Sequence, residues 1–432
     1  MKLLNIGGAT AVLEHGGKRM LFDPWMNEGI LHGAWHHWPP LRVAPADLGR
    51  LDYIYISHIH EDHCSAETIR LLNRDAEIIL MDREPEIPNF VKRFLKYNRF
   101  DFKKVHLVRP QSPVEIAPGM IVDMVTADPG HAYNYMVDSG MILRWDNHVV
   151  YNANDCAPYP GSISYIKKMY ESIDLALIPY AGGSGYPGCY TSLSHEEKVK
   201  ERERIFKSRM QLFIEVIRDL DPEMVMPFAD QYVIGGNRGH LNQYSPHPPC
   251  PGCVKDDLLE AGLQDKLLLL NSGQSYDLDS KVKTPQEPYR MYTESEREEY
   301  IQSLRERKYD HQKVTFRDAV PFERLLVQAR ARLWEVQSRN NNFPETKFYI
   351  YINNVDQTFM VDLREPKIEH VGSEREMEQP YIKISGDSTL LTMLLINHIP
   401  WNMADGALFL DYERKPNCYD VNAQVLLNYL TI

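Results

Sequence analysis

The sequence predicts an α/β protein that ends in a smaller α+β unit. Three observations carry that reading. Short β-rich apolar runs alternate with helical stretches through the first two-thirds of the chain. A cluster of histidines and carboxylates, H-x-H-x-D-H, follows directly on one such run, YIYIS. After about residue 285 the composition shifts to charged helices and then to a compact set of strands. The expected division is a first domain over 1–285, a helical connector over 286–340 and a small α+β domain over 341–432.

The elements follow in order. LLNIGG, TAVLEH and KRMLFD read as strands, with Gly16-Gly17 as a hairpin turn. DYIYIS is a continuous β-rich run of the kind found in buried strands. AETIRLLNR reads as a helix and AEIILM as the next strand. MIVDMVTA, GMILRW, HVVYNA and DLALIP supply further strands. A long helix runs from His195 to Leu220, entered through a capping box of Ser194 and Glu197. SEREEYIQSLRERKYDH is a charged helix and FERLLVQARARLWEVQ an amphipathic one, ending in a polar break at Ser338–Pro344. KFYIYIN, TFMVDL, YIKIS and ALFLDY are the last strands, with helices around LLTMLLI and NAQVLLNYL.

At 432 residues the chain exceeds one ordinary core. A net charge of −12 argues against nucleic acid or an anionic membrane surface as partner. No apolar run is long enough to span a bilayer, and the N-terminus lacks the basic start and apolar block of a signal peptide. The six cysteines are scattered apart from one close pair, which fits a reducing, cytoplasmic compartment better than a disulfide framework.

The chemistry concentrates at His58, His60, Asp62 and His63. On an extended segment His58 and His60 share a face and can reach one metal ion. Asp62 and His63 lie in the following turn, within reach of a second. Imidazole and carboxylate together suit first-row cations such as zinc or iron. Four residues do not complete two sites, so further ligands are expected at later strand ends. His131 follows MIVDMVTA through Pro129-Gly130, and Asp155 follows HVVYNA, where a carboxylate can bridge two cations. A last histidine is expected beyond VMPFADQYV, at His240 or else His247.

With its opening IGGATAVLEHGGKRMLFDPW and its later single His, Asp and His residues, this pattern resembles the metallo-β-lactamase superfamily. The resemblance covers residues 1 to about 275. It implies an αβ/βα sandwich with two metals at one edge of the sheets. It places His58, His60 and His131 on one metal, Asp62, His63 and His240 on the other, and Asp155 between them. Asp23 in FDPW matches a position that orients a ligand histidine from behind. A narrower resemblance, through Asn154–Cys156, the loop AGGSGYP and PFA at Pro227–Ala229, is to the catalytic part of the CMP-N-acetylneuraminate hydroxylase family. Members of that family are oxygenases in which a Rieske iron–sulfur domain precedes the metal domain. This sequence holds no C-x-H…C-x-x-H pair, so the same chemistry here calls for a separate electron-transfer protein. Residues 341–432 weakly resemble sterol-carrier-like modules.

Other residues stand near the expected centre. Trp35 and His36, in LHGAWHHWPP, form either an aromatic wall over the metals or a surface loop stacking its own rings. Tyr133 and Tyr135 flank His131 and offer phenols to the reaction. Gly183 and Ser184 belong to a glycine-rich loop that either presents backbone N–H groups to an anionic substrate or is a plain tight turn. Cys250 and Cys253 form an isolated C-x-x-C, weak as a zinc or redox signature. The favoured reading is a non-haem iron monooxygenase acting on a small molecule. The alternative is a zinc- or manganese-dependent hydrolase of a phosphodiester, ester or amide, and a non-catalytic binding protein stands third.

Overall fold

Alternation along single strands sets the architecture. In the strand Lys18–Phe22, Met20 and Phe22 enter one apolar cluster and Leu21 another. A period of two does this when both faces of a sheet are covered. The computed structural model describes residues 1–316, 321–372 and 376–432.

An eight-stranded sheet runs in the order Val282–Thr284, Ser275–Asp277, Lys2–Gly7, Thr10–His15, Lys18–Phe22, Tyr53–Tyr55, Glu77–Met81 and Lys104–Val108. A six-stranded sheet runs Met224–Phe228, Leu175–Pro179, His148–Asn152, Ser139–Trp145, Met120–Thr126 and Val114–Ala117. Their inner faces meet in one core, with Leu13, Phe22 and Tyr55 from the first and Met124, Leu143 and Leu177 from the second. Ile69, Val91 and Leu95 of the helices Ala66–Leu71 and Phe90–Tyr97 cover the outside of the first sheet. Ile166, Phe213 and Ile217 of Pro160–Met169 and His195–Leu220 cover the second. The expected αβ/βα sandwich is therefore the fold of this part of the chain.

Parallel pairing places the site. Lys18–Phe22, Tyr53–Tyr55, Glu77–Met81 and Lys104–Val108 are parallel to one another. So are His148–Asn152, Leu175–Pro179 and Met224–Phe228. Parallel strands send their carboxyl ends to a common edge, where side chains from distant parts of the sequence converge. Three non-glycine residues just past such ends have left-handed backbones: Asp23 (φ 42°), Asn154 (φ 43°) and Ala229 (φ 74°). Backbone strain of this kind gathers where a turn must aim side chains.

Beyond the sandwich, a five-stranded sheet runs Ile368–Val371, Gln357–Val361, Lys347–Ile352, Tyr381–Gly386 and Asp411–Lys415. Leu326 and Leu333, Leu391 and Leu394, and Leu426 of the helices Phe322–Asn340, Ser388–Leu395 and Val421–Leu427 share its core. That core is continuous with Trp25, Leu31, Tyr190 and Tyr232 of the sandwich. Several local readings shift. LHGAWHHWPP contributes a strand, Trp35–His37, paired with Tyr232–Ile234. The helix Phe322–Asn340 continues through the expected break at Ser338 and stops where Asn341 turns left-handed (φ 49°). The strand expected at ALFLDY begins only at Asp411, because Ala407 still caps the helix Trp401–Gly406. Among the described residues, no helix is long and apolar enough to cross a membrane.

Arg238 ties the two parts together. Its Nε donates to the Leu408 carbonyl at 2.7 Å, and Nη2 donates to the Leu410 carbonyl at 3.2 Å and to Asp411 Oδ1 at 2.7 Å. Removing a largely buried, multiply bonded guanidinium leaves its acceptors unpaired. Arg238→Ala is expected to lower stability by about 2–4 kcal/mol in denaturant unfolding, and Arg238→Lys to recover only part of it. An unchanged midpoint would show that the apolar contact and the remaining hydrogen bonds, such as those of Tyr412 with Cys189 and Thr191, join the two parts without Arg238.

Candidate metal centre

The strand Tyr53–Tyr55 brings the chain to the sheet edge, and the segment that follows turns there. Behind it lies Asp23, fully buried. Its Oδ1 accepts the Ser57 backbone N–H at 2.7 Å, and its Oδ2 accepts the Ser57 hydroxyl at 2.9 Å. His63 Nδ1 lies 3.0 Å from the same oxygen, and His58 Nδ1 lies 2.9 Å from Ser57 Oγ. Because the Ser57 proton goes to Asp23, the network assigns the hydrogens of both rings to Nδ1. The Nε2 edges of His58 and His63 then face the open side.

Carboxylates wait there. His63 Nε2 is 3.3 Å from Asp62 Oδ2 and 3.3 Å from Asp155 Oδ1. His58 Nε2 is 2.8 Å from His60 Nδ1 and 3.8 Å from Asp138 Oδ1. Two sets of donor atoms, His58–His60–Asp138 and His58–His63–Asp155, each lie within 4.8 Å of one another. Burial, together with the neighbouring rings, drives the pKa of His58 well below the usual histidine value, and burial also lowers that of His60. Both are thus neutral and able to coordinate. Burial opposes charge on His63 too, but Asp155, Asp62 and Asp23 outweigh it and hold its pKa well above the usual value. Burial, reinforced by the charge of Asp155, raises the Asp138 carboxyl well above its ordinary range. Imidazole nitrogen with carboxylate oxygen is a donor set that fits zinc, iron or manganese.

Of the residues expected from the sequence, the structure brings together His58, His60, Asp62, His63, Asp155 and Asp23. It does not bring in two others. His131 is exposed at the start of the short helix Ala132–Val137. That helix carries the chain inward, so Asp138 reaches the cluster where His131 was expected. His240 is exposed on the 3₁₀ segment Gly236–Tyr244, with Nδ1 3.0 Å from the Asn237 carbonyl. His247, the other candidate, is buried with its ring 4.6 Å from that of Tyr232 and its Nδ1 2.9 Å from Ser245 Oγ. Asp230 was also missed. It follows the strand Met224–Phe228 and accepts the backbone N–H groups of Tyr180 and Ala181 at 2.8 Å each. Burial, with the charge of Asp155 adding, pushes its carboxyl up to about 7. An acidic residue directly flanking a buried apolar strand, before it at Asp138 and just after it at Asp230, was the available signal.

The cluster opens into a cavity of about 420 Å³ between the sandwich and the C-terminal domain. Trp35, Tyr133 and Gly183 line it, as do Trp401, Asn402 and Tyr412 from the far side. Trp35 stacks on Tyr232 at 3.4 Å between ring centres and donates to the Gly406 carbonyl at 2.9 Å. The Tyr133 hydroxyl lies 3.0 Å from His60 Nε2 and accepts from Asn402 Nδ2 at 2.6 Å. Three expected substrate residues lie outside this wall. His36 is buried against Glu28 at 3.0 Å because its strand turns that ring inward. Tyr135 packs beneath the Arg83 guanidinium, 4.7 Å from the ring centre. The Ser184 hydroxyl turns back to the Tyr186 carbonyl at 3.1 Å. The Cys250 and Cys253 sulfurs are 3.9 Å apart, and among the described residues no third ligand group joins them.

Residues 18–228 match the family model of the beta-lactamase superfamily domain. With the two-sheet sandwich and the edge cluster, this stretch belongs to the metallo-β-lactamase superfamily. Within it, the chain is similar to the cytidine monophosphate-N-acetylneuraminic acid hydroxylase of Asterias rubens, 29% identical over 283 residues, covering 57% of this chain and 40% of that protein. It is also similar to a putative Rieske 2Fe-2S iron-sulfur protein of Mycolicibacterium smegmatis, 27% identical over 196 residues, covering 44% of this chain and 36% of that protein. The chain thus spans about two-fifths of the length of the curated relatives it matches. Among solved structures, a metallo hydrolase of Ignicoccus hospitalis aligns at 20% identity with a TM-score of 0.43, over 63% of this chain and 96% of that one.

Two predictions follow from the placement. Alanine at Asp138 or His58 is expected to weaken uptake of iron or zinc by at least about tenfold, while alanine at His131 or His240 leaves it unchanged. Metal titration with elemental analysis checks this, and losses at His131 and His240 with none at Asp138 would restore the sequence-based ligand set. The second concerns His247, whose pKa burial, with the Arg297 charge adding, pushes down to about 3. The unfolded chain protonates this ring near its ordinary value of about 6.5, whereas the folded chain stays neutral. Stability present at neutral pH is therefore lost as pH falls from about 6.5 toward 3, by up to about 4 kcal/mol. The His247→Phe variant should show a flatter acid limb in urea midpoints against pH. Parallel curves would assign the acid loss elsewhere.

Proposed function

We propose that the chain is a dinuclear metal enzyme, a non-haem iron oxygenase that uses O2 to oxidise a small molecule bound between its two domains. The observation that carries this reading is the pair of ligand groups opening into one interdomain cavity. His58, His60 and Asp138 would hold one ion, and Asp62 and His63 the other. Asp155, near His58 as well as His63, would be shared. The names of the most similar curated relatives, hydroxylases and Rieske proteins, favour iron and O2 over hydrolysis. Electrons would come from a separate electron-transfer protein.

Bound iron supplies the redox capacity that O2 chemistry needs. The protein's own groups do the rest. Asp23 keeps the Nδ1 proton on His63 and so fixes which nitrogen meets the ion. Tyr133, held by Asn402, presents a phenol beside His60 that can pass a proton to a developing oxyanion. Trp25, Trp35 and Trp401 line the cavity and exclude water from the reacting centre.

The test is composition and oxygen dependence in one preparation. The expected result is about two irons per chain, an iron signal in the Mössbauer spectrum, and substrate turnover that consumes O2 and stops without it. Loss of both iron and turnover is expected in a His58→Ala, His60→Ala double variant. Equal turnover without O2 by zinc- or manganese-loaded protein would replace this reading with the hydrolase.

A further inference from the structure

The wall of the cavity beside the metal cluster carries donors that nothing in the protein uses. The loop after the strand Leu175–Pro179 contributes Gly182 and Gly183 to that wall. Gly182 has φ 145°, a conformation that side chains rarely adopt. At Gly183 an added Cβ would run into the Tyr232 hydroxyl. Both positions are held as glycine by geometry, and their backbones stand bare toward the cavity. Among the described residues, no protein acceptor meets the N–H of either one. The preceding N–H groups, of Tyr180 and Ala181, are taken by Asp230, so the loop's satisfied donors stop where the cavity begins.

Arg209, from the helix His195–Leu220, comes to the same place. Its guanidinium lies 3.6 Å from where a Gly182 Cβ would be, which puts its charge against the glycine backbone. It lines the cavity and, among the described residues, makes no close ion pair or hydrogen bond, although its charge acts across the wall on Asp230. It is the one arginine or lysine in the described cavity wall. The opposite wall, from the C-terminal part of the chain, presents the apolar and aromatic surfaces of Trp401, Met403, Tyr419 and Leu427 beside the polar Asn402, Asp405 and Gln424. A planar cation beside unpaired backbone amides matches an oxyanion, and the opposite wall matches a flat or greasy body.

We propose that the cavity binds an organic oxyanion, with its carboxylate or phosphate on Arg209 and the Gly182–Gly183 amides and its apolar body against the C-terminal domain. This rests on the metal-enzyme reading for the charge balance: two divalent ions offset the clustered carboxylates and leave the cavity receptive to an anion. It extends that reading by naming the substrate class. The reactive carbon then lies between the anion-binding loop and the cluster, and the C-terminal domain selects the body of the substrate.

The test uses the full chain, metal-loaded and chelator-stripped, with tryptophan fluorescence as readout because Trp25, Trp35 and Trp401 line the cavity. The probes are phenyl phosphate, phenylacetate and the neutral 2-phenylethanol. Saturable binding is expected for at least one anion in preference to the alcohol, and the tighter anion names the group. Arg209→Ala is expected to weaken anion binding about tenfold while leaving the alcohol and the metal content unchanged, and Arg209→Lys to fall between. If Arg209→Ala leaves anion affinity unchanged, the anion sits on the metal ions and the proposal is overturned while the enzyme reading stands. If neither anion outbinds the alcohol, the proposal is likewise overturned. If the wild-type chain takes up no metal, the enzyme reading fails, and the anion site, which needs the ions for its charge balance, falls with it.

Discussion

One fully buried carboxylate organises the rest of the site. Asp23 gives both oxygens to Ser57 and one also to His63, and through Ser57 it sets the tautomer of His58. Burial pushes this carboxyl up, while His63 and Ser57 pull it back toward the charged form. Losing any one of these partners leaves an acceptor in the core without a proton to hold. The left-handed backbone at Asp23 is what turns the side chain inward rather than along the strand. The orientation of the histidines is therefore a property of the sandwich and precedes any ion.

The sandwich and the C-terminal domain do different work at the same place. Parallel strands in both sheets bring Asp23, His58, Asp155 and Asp230 to one edge. The C-terminal domain adds no member to the two ligand groups; it closes the space over them. Its joint is continuous apolar packing with polar ties at Arg238, at Tyr412 to the Cys189 and Thr191 backbones, and at Trp35 to Gly406 beside the cavity. A site walled this way limits solvent at the cluster, where His58 and His63 are buried, and so raises the weight of the charges inside it.

Much of this was legible from local patterns. The recurring switch from β-rich runs to helical stretches pointed to helix-covered sheets, and His58 and His60, two apart, do meet at 2.8 Å. The capping box at Ser194 and Glu197 opens the long helix as read. The errors share a cause. A ligand placed after a strand depends on the turn that follows, and the turn at His131 becomes a six-residue helix that delivers Asp138 instead. His240 looked well placed by sequence distance, but a 3₁₀ segment turns it to solvent. The roof formed by Trp401–Gly406 has no local signature at all, because it depends on packing between residues almost four hundred positions apart, such as Trp35 and Gly406. Tyr133 was singled out for its nearness to His131, yet it earns its place through His60 and Asn402.

The division of the cavity wall bears on how such a protein changes over time. The ligand groups, their orienting carboxylate and the glycine loop all belong to the sandwich, where each alteration disturbs a hydrogen-bonded core. The facing wall belongs to a unit with its own sheet and its own buried leucines. Mutations can accumulate at Met403, Tyr419 or Leu427 without touching an ion or its supports. The two halves of the pocket thus rest on different supports: a change in the roof costs local packing, whereas a change in the floor breaks a hydrogen-bonded network.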